Sequence, residues 1–226
     1  MKSDKDKPMK LSPSSLSLYS ECQLCFWMQF NKGVRHPDTI FPSLPSGMDR
    51  ILKAHFDSFR EKGALPPELH ELKDVKLFND MNLLTLWRNN RKGLQWHDKE
   101  TGATLRGAVD DMLIKGKKLI VLDFKTRGFP LKEDTHKYYQ DQLNIYTYLL
   151  EKNNHETEDY SFLLFYYPNK VNEDGSVLFN TELVKMKTNP DNAKKLFIDA
   201  VKVLKCEEPP KEAEDCGHCG YVRERA

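Results

Sequence analysis

The stretch Leu105–Gly128 reads LRGAVDDMLIKGKKLIVLDFKTRG, in which Asp110, Asp123 and Lys125 stand in two largely apolar segments on either side of a lysine-rich turn. Lys115-Gly116-Lys117-Lys118 is a tight-turn signal, so the segments on either side should pair as an antiparallel hairpin. If Gly116-Lys117 is the two-residue loop, Lys115 faces Lys118, and counting outward sets Asp110 opposite Asp123. If Lys115-Gly116 is the loop, Asp110 faces Val121 and Asp123 becomes its diagonal neighbour. Either register brings the two carboxylates together, and strand alternation puts Lys125 on the same face as Asp123. Two carboxylates facing each other in an apolar sheet repel and are costly to desolvate. A divalent cation removes that penalty, and magnesium or manganese, which prefer oxygen ligands, are the expected ions. Such a metal can activate water and stabilise charge on a transferring phosphoryl group, while the lysine orients or deprotonates the nucleophile. These parts suit phosphodiester hydrolysis. The plainer alternative is a strand-end salt bridge between Asp123 and Lys125, with Asp110 solvated.

A second set of reactive residues lies at the chain ends. Four of the five cysteines form two Cys-x-x-Cys pairs, Cys22 with Cys25 and Cys216 with Cys219, leaving Cys206 over. In a reducing compartment this grouping indicates metal ligation rather than disulfides. If the pairs share one centre they tie the termini together, and four thiolates suit zinc or an iron–sulfur cluster. Its expected role is to staple the fold. Four unligated thiols are the alternative.

The elements that must position these groups follow from periodicity. Ser12-Pro13 supplies an N-cap and first-turn proline for a helix carrying Leu16, Tyr19 and the first cysteine pair. A proline-punctuated loop spans Arg35–Pro45, and Ser46 caps a helix with apolar residues at Met48, Ile51, Leu52, Phe56 and Phe59, stopped by Gly63. Leu65–Lys76 is irregular, and a short helix covers Met81–Asn89. Leu94–His97 and Thr104–Ile114 are expected as a hairpin, Lys118–Lys125 as the next strand. Tyr138–Leu150 has helical spacing, Tyr160–Tyr167 and Val177–Met186 are strands, and Asn189-Pro190 opens a last amphipathic helix to Leu204. The segments Ala108–Ile114 and Leu119–Phe124 are apolar on both faces apart from the aspartates, as in interior strands covered by helices on both sides.

The chain has 226 residues and a formal charge of +1. That length fits one domain over residues 11–226 preceded by a flexible lysine-rich tail over 1–10. No apolar run approaches the roughly 18 residues of a membrane span, and the N-terminus lacks a secretory signal, so a cytoplasmic protein is expected. The near-neutral charge offers little long-range attraction to a polyanion, so binding to nucleic acid must rest on local basic patches and bound metal.

Gly107-Ala108-Val109-Asp110, the hairpin, and Leu122-Asp123-Phe124-Lys125-Thr126 together resemble the core signature of PD-(D/E)xK nucleases, in the branch of RecB-like domains and CRISPR-associated exonucleases. The resemblance implies an α/β, restriction-endonuclease-like core in which helices flank a central mixed β-sheet, with DNA as the partner. It implies Asp110 and Asp123 as metal-binding acids, the Phe124 carbonyl as a further ligand, and Lys125 as the catalytic lysine. Gln142-Leu143-Asn144-Ile145-Tyr146 is similar to that branch's Gln-x-x-x-Tyr motif, whose i, i+4 spacing puts both side chains on one helical face. The upstream helix departs from the pattern, since Ile51 stands where a histidine or acidic ligand is common. Asp49 and His55 are both available, but six residues apart they cannot both face one metal. The branch often closes its fold with a [4Fe-4S] cluster on one N-terminal and three C-terminal cysteines, whereas this chain has two and two.

Arg127, Lys132, Lys137 and Lys170 flank the strand ends and could contact phosphates. Tyr138, Tyr139, Tyr166 and Tyr167 could stack bases or pack in the core. Two other functions fit the same residues: a catalytically inactive DNA-binding or assembly module on the nuclease fold, and a zinc-stapled interaction protein whose hairpin aspartates face solvent.

Overall fold

The computed structural model describes residues 9–37 and 42–225. The flexible tail expected over residues 1–10 falls mostly outside these, but its last two residues are anchored. Lys10 and Leu11 form β1 (Lys10–Leu11), paired in parallel with Thr104 and Leu105, and Thr104 N–H donates to the Met9 carbonyl at 2.8 Å.

Ser12 caps α1 (Pro13–Glu21) through a reciprocal pair: its N–H donates to Ser15 Oγ at 2.7 Å, and its own Oγ accepts from Ser15 N–H at 3.4 Å. The first cysteine pair is not on this helix. Cys22 has extended backbone and breaks α1 from the short α2 (Gln23–Trp27), which carries Cys25 and runs into a π-helical turn at Met28–Lys32. The next helix, α3 (Ser43–Glu61), begins three residues before the expected Ser46 cap. Pro45 falls in its first turn, where the missing N–H is one of the donors a helix leaves unpaired anyway, so the proline does not delay the start. Leu52, Phe56 and Arg60 are its buried residues, Ile51 is half exposed, and Gly63 ends it with φ +65°.

After β2 (Lys76–Leu77) and α4 (Met81–Trp87), β3 (Leu94–His97) pairs antiparallel with β4 (Thr104–Gly107), forming a three-stranded sheet ordered β1-β4-β3. The single strand expected over Thr104–Ile114 is divided. It leaves the small sheet at Gly107 and resumes as β5 (Asp111–Lys115) in a second sheet. The cause is competition for the backbone in between, because Val109 N–H donates to the Trp87 carbonyl at 3.1 Å and the Asp110 carbonyl accepts from Arg88 Nε at 2.8 Å.

The second sheet orders its strands β2-β5-β6-β7-β8, with β6 (Lys118–Thr126), β7 (Tyr160–Val171) and β8 (Val177–Lys187). Only β6 and β7 run parallel, so the sheet is mixed. The hairpin takes the first of the two anticipated registers, from Lys115 opposite Lys118 to Asp111 opposite Leu122. One step further out, Asp110 comes level with Asp123.

Alternation along β6 divides the core. Leu119 and Val121 face a layer containing α5 (Gln140–Lys152), α6 (Pro190–Lys205) and α1, with Leu143, Leu149, Phe197 and Leu16 among its buried residues. Ile120, Leu122 and Phe124 face α3, against Leu52 and Phe56. By the same alternation Asp123 and Lys125 project towards α5. Helices therefore cover both faces of the central strands, as their apolar composition requires. The helix expected from Tyr138 starts as a 3-10 turn, Thr135–Tyr139, before α5 proper. A final helix, α7 (Gly217–Arg225), returns to the first cysteine pair.

Candidate active site and cysteine centre

Beyond Leu122, β6 has no β5 partner, so its exposed backbone edge is open to side chains. Asp110 uses that edge: its Oδ2 accepts from Phe124 N–H at 3.0 Å. The Asp123 side chain is 1% exposed, and its Oδ1 accepts from Gln142 Nε2 at 3.2 Å. Lys125 Nζ ion-pairs with the buried Asp123 Oδ2. Lys125 also donates to Gln142 Oε1 at 2.9 Å and lies 4.4 Å from the Tyr139 ring centroid. Gln142 Nε2 reaches the Tyr146 hydroxyl at 2.9 Å. One amide thus joins Asp123, Lys125 and Tyr146. Gly107 makes room for that arrangement, because a Cβ there would come within 2.8 Å of Tyr146 Cε1.

Residues 43–223 match the family model of the PD-(D/E)XK nuclease superfamily. The chain belongs to that superfamily. A search of curated proteins finds none that matches. The superfamily implies metal-dependent phosphodiester hydrolysis and a nucleic-acid substrate, and the mixed sheet flanked by helices is the PD-(D/E)XK fold.

Within this PD-(D/E)XK fold, the two candidates on α3 separate. Asp49 lies beside the carboxylates, joined to them through Lys53, whose Nζ is 2.7 Å from Asp49 and 3.2 Å from Asp110 Oδ1. His55 is not brought to them. Its Nε2 is 3.2 Å from Glu68, and its ring packs edge-on against Phe56 and Phe59. Lys53 was missed by sequence reasoning, although the Asp49–Lys53 spacing of i, i+4 is a recognisable ion-pair signal.

Also missed was a partly buried ring of charge behind Asp110. Arg60 bridges Asp57 and Asp111, and Arg88 Nη1 and Nη2 bridge the same two carboxylates at 2.8 and 2.9 Å. Arg88 Nε holds the Asp110 carbonyl at 2.8 Å, and Arg60 Nε donates to the Phe78 carbonyl at 2.6 Å. Asp111 is fully buried. The adjacent acids of Asp110-Asp111 thereby take opposite roles, one facing the open sheet edge and the other locked inside.

Burial pushes Asp123 up to about 7 despite Lys125, and it raises Asp110 above the usual carboxylate range against the pull of Lys53. Burial opposes the charge on Lys125, yet Asp123 holds its ammonium above the ordinary lysine value. Burial, rather than a lack of cations, is the chief cause of both upward shifts. Two buried carboxylates side by side at an open sheet edge are oxygen ligands of the kind a hard divalent cation takes. Asp49 does not complete a compact three-acid nest with the pair. Among the described residues, the group of three or more acidic, histidine or cysteine ligand atoms lying within 4.8 Å of one another is Cys22, Cys25, Cys216 and Cys219.

Those four sulfurs join the N- and C-terminal regions. Cys25 Sγ lies 3.4 Å from Cys219 and 3.7 Å from Cys216, and Cys22 lies 3.8 Å from Cys219. Burial opposes ionisation of Cys22, but backbone hydrogen bonds at Ala213 and Cys25 bring it down to about 7, while burial lifts Cys219 to about 11. Cys206 is exposed and apart from the set. A metal ion fits this group.

Of the flanking residues singled out by sequence, Lys137 pairs with Asp134 at 2.5 Å. Tyr166 is buried with its hydroxyl donating to Glu68 at 3.0 Å, Tyr139 covers Lys125, and Tyr138 is 86% exposed. Among the described residues, no helix is long and apolar enough to cross a membrane.

Proposed function

We propose that the protein is a magnesium- or manganese-dependent deoxyribonuclease whose metal is held by Asp110, Asp123 and the Phe124 carbonyl. The observation that carries this is the Gln142 side chain, which ties Asp123 and Lys125 to Tyr146 in one hydrogen-bonded unit. When bound, the metal supplies a Lewis acid and a water of lowered pKa. Lys125 is placed to hold the attacking water or a phosphate oxygen and to balance charge developing there. Gln142 gives that ammonium a second acceptor beside Asp123, and Tyr146 keeps Gln142 in place. The Gln-x-x-x-Tyr helix supports the RecB-like branch. Asp49 serves as an indirect partner through Lys53, and the position of His55 argues against its being a ligand.

For the cysteine centre we propose zinc as a structural staple. Sulfurs bound about 2.3 Å from one tetrahedral centre stand about 3.8 Å apart, close to the 3.4–3.8 Å contacts here. Metal analysis and a visible spectrum of anaerobically purified protein test it, and iron with sulfide-cluster absorption would replace zinc.

The test of the activity is cleavage of labelled DNA and RNA with manganese. Asp123→Ala and Lys125→Ala, with far-ultraviolet circular dichroism unchanged, should each lower DNA cleavage by about a hundredfold or more. Cleavage at the wild-type rate in both would remove the assignment, and a preference for RNA would reassign the substrate. A second reading, an inactive nucleic-acid-binding module, is favoured by one observation: Lys53 and Lys125 already ion-pair with both carboxylates. Calorimetric titration separates the two, because a binding module shows no manganese site that Asp110→Asn abolishes.

A further inference from the structure

The cations that the sequence singles out near the strand ends do not line the wide cleft on the side of the molecule where α1 begins. A cleft of about 1460 Å³ opens between the start of α1, the π-helical turn after α2, β4 and the C-terminal end of α6. Five cations line it, Lys10, Lys32, Arg35, Arg106 and Lys205, against one carboxylate, Glu207. None of the five is in an ion pair among the described residues, whereas Lys53, Lys125, Lys137, Lys202, Arg60, Arg88 and Arg223 all are. For a chain of net charge +1, this is a concentrated local excess, and like charge in a concave wall focuses the field outward.

Two further features indicate the shape of the anion. The N-terminus of α1 opens onto the cleft at Ser12, Ser14 and Ser15, adding the positive end of a helix dipole. The half-buried Phe30 contributes an aromatic face, while Lys32 Nζ lies 5.3 Å from the Trp27 centroid at the cleft's base. Cations spread over four elements beside an aromatic surface suit a phosphate chain with unstacked bases better than a single small anion.

We propose that this cleft is a binding track for single-stranded nucleic acid, separate from the carboxylate site. The proposal rests on the nucleic-acid substrate implied by the superfamily, but not on Asp110, Asp123 or Lys125 being catalytic. The track would hold the strand through its phosphates, without reading sequence.

The experiment is fluorescence anisotropy with a labelled oligothymidylate of roughly 15 nucleotides, without added magnesium or manganese and without chelator so that the cysteine centre stays loaded, across a series of salt concentrations. The triple variant Lys10→Ala/Lys32→Ala/Lys205→Ala should bind at least tenfold more weakly, and the slope of log Kd against log salt should flatten by about 2, at about 0.7 for each lost phosphate contact. A control triple variant in the remote β5–β6 turn, Lys115→Ala/Lys117→Ala/Lys118→Ala, should leave both quantities unchanged. Charge reversal, Lys32→Glu/Lys205→Glu, should weaken binding further than the corresponding alanines. Unaltered affinity and slope in the cleft variants, or equal losses in the control, would overturn the proposal. So would competition by polyglutamate as effective as that by unlabelled oligonucleotide, which would mark an acidic-protein surface. Binding that depends on the cleft in a protein that cleaves nothing would sustain the track while removing the nuclease reading.

Discussion

At the residue scale, Asp123 concentrates the consequences of placing acid inside a sheet. Burial lifts it from 3.8 to about 7, so the metal-free folded protein holds a proton there that the unfolded chain releases near pH 4. A folded-state pKa raised above the unfolded one contributes stability that is present at low pH and lost as pH rises through the folded value. The metal-free protein should therefore lose stability between about pH 4 and pH 7, by roughly 4 kcal/mol at most. Acid-side losses at other carboxylates act in the opposite direction, so the contribution is read as the difference between wild type and Asp123→Asn in urea melts. The same proton competes with metal. Manganese affinity should rise with pH up to about 7 and release a proton, detectable by calorimetry in buffers of different ionisation heat. A pH-independent affinity from 5.5 to 8 would show that Asp123 is not the ligand that titrates. The placement of Asp110, Asp123 and Lys125 was legible because a tight turn and a period of two determine which side chains face each other. Lys53 was not, because its approach to Asp110 depends on how α3 lies over the sheet, which no local pattern encodes.

At the element scale, the ring of Asp57, Arg60, Arg88 and Asp111 fastens α3 and the end of α4 to the first residue of β5. Two buried and two partly buried charges are an expensive way to join elements, since their mutual attraction barely offsets desolvation. Removing one arginine costs more than the pair contributes, because the other must then balance both Asp57 and the fully buried Asp111 alone. Arg88→Met should therefore destabilise the protein by about 3–5 kcal/mol in urea unfolding, whereas the exposed pair Lys202–Asp199 should be worth under about 1 kcal/mol. A loss below about 1 kcal/mol for Arg88→Met would mean that water replaces the guanidinium and that the ring is not closed. The ring also explains where the sequence-based elements failed. No proline stands within Thr104–Ile114 to break the pattern, so one strand was expected, yet Arg88 and the Trp87 carbonyl take up the backbone of Val109 and Asp110 and divide it. The start of α3 was misplaced for a different reason. A serine in a proline-rich stretch looks like a cap, but the first turn tolerates the proline and the helix begins earlier. The strands around the β5–β6 turn, α5 and α6 were located within a few residues because each had a strong period and clear terminal signals.

At the scale of the whole molecule, the four cysteines close the chain on itself. Cys22 and Cys25 lie 191–197 residues from their sulfur neighbours, so the centre joins the α1–α2 corner to α7 across the entire fold. Little else holds α7 there: Cys219 is its one buried residue, and Tyr221 and Val222 are more than half exposed. Metal ligation at such a site contributes directly to folding, because the unfolded chain does not hold the ligands together. Stripping the metal with a chelator, or replacing Cys219 with serine, should therefore release α7 while the β5–β6–β7 core stays folded. Hydrogen exchange should show protection lost across Gly217–Arg225 and reduced in α2, with amides in β6 and α5 unchanged. The cleft bordered by α1 and the π-helical turn draws its walls from the same corner, so chelation should also weaken oligonucleotide binding without altering manganese binding at the carboxylates. If α7 stays protected after the metal is removed, thiol packing alone must hold the corner, and the centre is not a staple. If β6 also loses protection, the two regions unfold together, and the cysteine corner belongs to the same cooperative unit as the sheet that carries Asp123.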